Sequence, residues 1–152
     1  MTAALEEIAQ DLDDRWTPDS LFIPWHERYQ FTIDVAASAQ NAKLPRFYTK
    51  EDNALTKSWD GERVWCNPPY SDIMPWVEKA HVEMDNGCDF IAMLLPSNRT
   101  EQPWWQKWIE PFRDHDRCGG VRTEFLAKRP RFGPLWGSQP RFGCVLITWC
   151  RP

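Results

Sequence analysis

The sequence predicts an α/β domain, built on a doubly wound, mostly parallel sheet and closed by an antiparallel C-terminal hairpin. Three observations carry this. Strand-like and helix-like segments alternate along the chain, the pattern of helices laid on a parallel sheet. The run Phe90-Ile91-Ala92-Met93-Leu94-Leu95, closed by Pro96, is apolar without interruption, as in a strand buried on both faces. The connection between the last two strand-like segments, through Pro130, Gly133, Pro134, Gly137 and Pro140, is too short for a crossover helix, so those strands should pair antiparallel. At 152 residues one domain spanning 1–152 suffices, and a chain of that size buries roughly 68–70% of its unfolded surface.

Taken in order, Ala3 to about Leu12 can form an amphipathic helix capped by Thr2, a peripheral element within residues 1–15. Its acids, Glu6, Glu7, Asp11, Asp13 and Asp14, and its lack of a long apolar stretch fit neither a signal peptide nor a membrane anchor. Thr17-Pro18-Asp19 then reads as a helix start, with Thr as N-cap and Pro in the first helical position. It leads through Leu21, Phe22, Trp25 and Tyr29 on one face. Phe31 to Ala37 alternates before ending in small residues, as in a strand that stops at a tight turn. Arg46 to Thr49 reads as a second short strand, and Arg63 to Cys66 as a third. A helix from about Ile73 to Asn86 stops at Gly87, the buried strand Phe90 to Leu95 follows, and Trp104 to Phe112 is helical. Val121 to Ala127 and Phe142 to Trp149 make the closing hairpin.

Chemistry concentrates at Asn67-Pro68-Pro69-Tyr70, which follows the third strand. An exocyclic amine conjugated to a ring is a poor nucleophile, so a catalyst must draw the nitrogen toward tetrahedral geometry with hydrogen-bond acceptors. The Asn67 side-chain carbonyl and the Pro68 backbone carbonyl supply two, and the prolines fix the loop. Tyr70 offers a flat face for an unstacked base, whose extrusion costs a few kcal/mol and whose stacking on an aromatic returns roughly 1–3 kcal/mol. Pro-Pro is also an ordinary way to stop a sheet and Asn-Pro an ordinary turn opener. In open α/β sheets ligands sit beyond the carboxyl ends of the strands, where Asp34, Asp52, Asn67 and Pro96 all fall. Asp34 read locally is a helix cap, Asp52 a solvated loop acid and Asn41 a turn former.

The net charge of −4 argues against a nucleic-acid partner until its distribution is read. Residues 1–112 hold 10 Lys/Arg against 19 Asp/Glu, whereas residues 113–152 hold 8 against 3. The basic set Arg122, Lys128, Arg129, Arg131 and Arg141, with Arg117 nearby, makes a local footprint for phosphates, and Arg99 joins it as a candidate contact. The alternative is a solvated basic edge. Five scattered cysteines with no CxxC pair fit reduced thiols in a soluble, cytoplasmic protein. A zinc site from His115, Cys118 and Cys144 fits no standard spacing, so no metal is expected. Most of the ten tryptophans should fill the core, while Trp104, Trp105 and Trp108 form either core or a surface that meets bases or a partner.

Trp16-Thr17-Pro18 with Leu21-Phe22, Asp34-Val35-Ala36-Ala37-Ser38, Asn41-Ala42-Lys43, Asp52 with Leu55 and Trp59, Val64 to Tyr70, Trp76-Val77 with Lys79-Ala80, and Leu94-Leu95-Pro96 occur in that order. Together they resemble the small phage and prophage DNA N6-adenine methyltransferases of the Dam type, over about residues 15–106. The resemblance implies a Rossmann-like fold, S-adenosylmethionine as cofactor and adenine in DNA as substrate. It implies that Trp16, Thr17, Pro18, Asp34, Ala36, Ala37 and Ser38 surround the methionine part of the cofactor and that Asp52 accepts from its adenine amino group. Asn67 then serves both cofactor and base, and Asn67, Pro68, Pro69 and Tyr70 form the target-base site. The chain departs from many methyltransferases in having no glycine before Gly61, so Ala36-Ala37-Ser38 stands in for the glycine-rich turn. RNA or a protein glutamine as substrate, and a catalytically silent binding factor of the same fold, are the rival readings; oligomeric state is left open between monomer and homodimer.

Overall fold

The computed structural model describes residues 15–115, 120–134 and 142–151. The expected helix from Ala3 to Leu12 lies outside the described residues, as do Arg117, Cys118, Arg141 and the hairpin connection from 135 to 141. The elements are α1 (Asp19–Tyr29), β1 (Ile33–Asp34), a 3₁₀ turn (Ala54–Thr56), β2 (Arg63–Cys66), α2 (Met74–Asp85), β3 (Phe90–Pro96), α3 (Pro103–Trp108), β4 (Gly120–Phe125) and β5 (Cys144–Cys150). The strands form one mixed sheet in the order β1-β2-β3-β5-β4. β1, β2 and β3 run parallel, and β5 pairs antiparallel with both β3 and β4, as the short hairpin connection predicts.

Period-2 alternation splits the sheet into two apolar faces. Trp65, Phe90, Ala92, Leu94 and Leu146 point to α1 and meet its Phe22 and Trp25. Val64, Cys66, Ile91, Met93, Leu95, Val145, Ile147 and Trp149 point the other way, to Val77 and Ala80 of α2 and Trp104 and Trp105 of α3. Every residue of β3 is buried, which its uninterrupted apolar run demands. Among the described residues no helix is long and apolar enough to cross a membrane.

Three elements are shorter than their sequences suggest, each for a local reason. The segment Phe31 to Ala37 contributes only Ile33–Asp34 as strand. The Asp34 carboxylate takes the Ala36 N–H at 3.3 Å and the Lys43 N–H at 3.0 Å, bending the chain out of the ladder. Arg46 to Thr49 forms a single parallel bridge, Phe47 to Asp34, rather than a strand. Pro45 has no N–H to extend that ladder, and the Thr49 N–H turns to the Asp52 carboxylate at 2.9 Å. α3 stops at Trp108 because Pro111 follows and the Trp105 carbonyl accepts from both Ile109 and Glu110, at 2.9 and 2.8 Å.

Candidate active site

The parallel strands deliver Asp34, Cys66 and Pro96 to the same end of the sheet, since Asp34 pairs with Trp65 and Cys66 with Met93. The loop Asn67-Pro68-Pro69-Tyr70 caps that end. Asn67 is 9% exposed, and its amide nitrogen donates to the Arg15 carbonyl at 3.1 Å and to the Thr17 hydroxyl at 3.0 Å. A backbone carbonyl can only accept, so these contacts fix which end of the amide is nitrogen. Its oxygen, Oδ1, is buried and has no hydrogen-bond partner. The Pro68 carbonyl accepts no hydrogen bond from any described residue. Two carbonyl acceptors of adjacent residues are thus left unfilled by any described residue.

Tyr70, the expected flat face for a base, is covered in this structure. It is 2% exposed, its hydroxyl donates to the Leu94 carbonyl at 2.8 Å, and burial raises the hydroxyl's pKa well above its ordinary value. The Arg15 guanidinium lies over the ring, 4.4 Å from its centroid, and 5.3 Å from that of Phe142. Arg99 is drawn to the same loop, donating to the Tyr70 carbonyl at 2.7 Å. It lines an open cleft of about 320 Å³ that also includes Ser71, Asp72, Met74 and Gln102.

On the expected cofactor side, the residue preceding α1 is Pro18, and no side chain caps that helix. Thr17, which reads as an N-cap, is instead 2% exposed, and its hydroxyl oxygen accepts from the Asn67 amide. Trp16 exchanges two backbone hydrogen bonds of 2.9 Å with Gly133, tying this segment to the one after β4. Asp34 caps no helix: its carboxylate closes the turn through Ala36, Ala37 and Ser38. It is 3% exposed, and burial lifts its pKa to about 6 against the two backbone N–H bonds that lower it. Ser38 and Asn41 pair reciprocally, Asn41 Oδ1 accepting the Ser38 N–H at 2.7 Å, so Asn41 is a turn former here. Asp52 is exposed at the rim. Its Oδ2 accepts from the Thr49 N–H and hydroxyl, which hold its carboxyl below the usual range, while Oδ1 carries no bond to a described residue.

Lys128, Arg129 and Arg131 are exposed on the segment leaving β4, whose last residues pair with the start of β5 beside Pro96. That places them at the end of the sheet that the Asn67 loop caps. Arg122 is exposed within the edge strand β4, opposite Thr148 and three residues before that strand's end. The tryptophans pack mainly into the core: Trp104 and Trp105 are 6% and 1% exposed and the half-buried Trp108 packs on His81, while Trp104 also lines the cleft of Arg99. Among the described residues no group of His, Cys, Asp or Glu could hold a metal. Arg15 and Phe142 are the site residues that sequence reasoning missed. A lone Arg before Trp-Thr-Pro carries no periodic signal, and Phe142 reads simply as the first residue of a strand.

The class this defines is an α/β domain on a mixed sheet, with two buried carbonyls at a strand end that no described residue fills. The chain belongs to the DNA N-6-adenine-methyltransferase (Dam) family, whose model matches residues 6–117. It is similar to the DNA N-6-adenine-methyltransferase of Haemophilus phage HP1, 37% identical over 85 residues, which cover 54% of this chain and 49% of that protein. The DNA N-6-adenine-methyltransferase of Escherichia phage T1 is 37% identical over 90 residues, covering 57% of this chain and 37% of that protein. The putative methyltransferase YfdM of Escherichia coli K12 is 36% identical over 76 residues, covering 44% and 78%. The matched stretches thus span about half of the first phage protein and just over a third of the second.

Proposed function

We propose that this chain is a Rossmann-like methyltransferase of the cytoplasm that moves the methyl group of S-adenosylmethionine to the N6 amine of an adenine flipped from DNA. The observation that carries the reading is the buried, unpartnered Asn67 Oδ1, held by two hydrogen bonds on the other end of its amide. An unsatisfied buried acceptor costs about 1–3 kcal/mol, so it marks a place where a donor is meant to arrive. The Asn67 and Pro68 carbonyls would take the two hydrogens of the amine and draw its lone pair out of conjugation toward the methyl group. Their effect is positioning and polarisation, with no strong base needed. Once methylated, the nitrogen is cationic and acidic, and its proton leaves to Asn67 or to water.

The residues present fit the cofactor. The small-residue turn Ala36-Ala37-Ser38 is latched by Asp34, and the Asp52 Oδ1 has an acceptor to offer an adenine amine. S-adenosylmethionine, when bound, supplies the electrophilic methyl. Trp16, Thr17 and Pro18 would wall its methionine end. DNA is the partner that the names of the relatives and the exposed Lys128, Arg129 and Arg131 favour.

The test incubates the purified chain with labelled S-adenosylmethionine and unmethylated DNA, then identifies methylated nucleosides by mass spectrometry. N6-methyldeoxyadenosine is expected. Label found only with RNA or a protein glutamine would overturn the substrate, and failure to bind the cofactor at all would leave a silent binding factor.

A further inference from the structure

We propose that Arg15 is a stand-in for the substrate base: its guanidinium holds the aromatic face of Tyr70 until DNA arrives, and is then exchanged for the flipped base. The inference rests on the base-methylation reading of the Asn67 loop. A guanidinium is planar and delocalised, and stacks on an aromatic face as a base does. The Arg15 group lies 4.4 Å from the Tyr70 centroid and 5.3 Å from that of Phe142, the two rings being 5.8 Å apart and tilted by 55°. With Tyr70 only 2% exposed, no base can stack on it while Arg15 is in place. The same residue holds the Asn67 amide through its backbone carbonyl, so the stand-in and the acceptor belong to one local unit.

The exchange has a driving partner. A cation leaving an aromatic face needs a counter-charge, and DNA brings phosphates, which arginine binds in bidentate fashion. The chain carrying Arg15 is joined to the basic segment by the paired backbone bonds of Trp16 and Gly133. Docking of Lys128 and Arg129 on a backbone would therefore place phosphates close to the arginine that must move. Without DNA the rings stay covered, and free nucleosides are turned away.

The test titrates free deoxyadenosine into wild type and Arg15→Ala, both saturated with S-adenosylhomocysteine to block the cofactor site, and follows binding by calorimetry. Arg15→Ala should bind the nucleoside at least about tenfold more tightly, the range expected of one stacking contact, and millimolar guanidinium should compete in that variant. Equal affinities would overturn the proposal. Should Arg15→Ala not fold, Arg15→Met keeps the aliphatic stem without the planar cation and gives the same readout. Methyl transfer to DNA by wild type, measured alongside, separates the two ideas: no transfer sinks the activity, whereas transfer with unchanged nucleoside affinity in the variant sinks the stand-in alone.

Discussion

Asn67 has its hydrogen bonds complete on the nitrogen side and empty on the oxygen side. If the empty side polarises the amine, Asn67→Ala should abolish methyl transfer while leaving cofactor affinity within about threefold, since the other proposed cofactor contacts remain and one lost hydrogen bond weakens binding little. Turnover by mass spectrometry and affinity by calorimetry check both halves; normal turnover would remove Asn67 from the chemistry. Asp34 gives a prediction in pH. Its folded pKa of about 6 lies above the ordinary 3.8, because burial disfavours the carboxylate. The native state therefore binds more protons between those values, and the contribution of Asp34 to stability is greatest below the lower one and falls as pH rises through the upper. The swing is about 3 kcal/mol. Asp34→Asn removes the titration, so its stability relative to wild type should improve by that order between about pH 4 and pH 7. Denaturation curves that keep a constant gap would refute this.

At the scale of elements, the loop that follows Asp52 is pinned to α2 by a buried pair. Lys79 and Glu83 meet at 2.6 Å with side chains 14% and 6% exposed; Glu83 also accepts the Trp59 N–H at 2.9 Å, and Lys79 donates to the Lys57 carbonyl at 2.6 Å. Glu83→Ala should cost about 3–5 kcal/mol because it strands a buried cation. Replacing both, Lys79→Met with Glu83→Leu, should recover most of that and leave about 1–3 kcal/mol for the unsatisfied Trp59 N–H. Urea denaturation of the three proteins decides it, and a double variant no better than the single would deny that stranded charge is the cause. The pair was invisible as such in the sequence, where Lys79 figured only within a family pattern. What was legible was whatever a local pattern dictates: β2, α2, β3 and the antiparallel hairpin follow from runs, periodicity and a Gly stop. What was not legible depended on side chains competing for backbone. Asp34 capturing two N–H groups cut a strand short, and Thr17 serves Asn67, 50 residues away, instead of its own helix. The loop Asn67-Pro68-Pro69-Tyr70 was readable as a fixed turn because two prolines after a strand leave little conformational choice, but the arginine lying on Tyr70 was not.

Across the whole molecule, an acidic body carries its excess of positive charge in the last forty residues, and the fold decides which of those charges can act together. Lys128 and Arg129 leave β4 at the end of the sheet where Asn67 lies, whereas Arg122 is set within the edge strand opposite Thr148. If DNA lies across the catalytic end, only the first two neutralise phosphate. Each phosphate contact contributes about 0.9 to the slope of log affinity against log salt on duplex DNA. The double variant Lys128→Ala with Arg129→Ala should therefore flatten that slope by nearly 2, while Arg122→Ala should leave it unchanged although it removes the same kind of charge. Fluorescence anisotropy with a labelled duplex at several salt concentrations measures all three. A general attraction between DNA and net positive charge would weaken both variants in proportion to the charge removed, so an equal loss per residue would count against a defined track across the catalytic end.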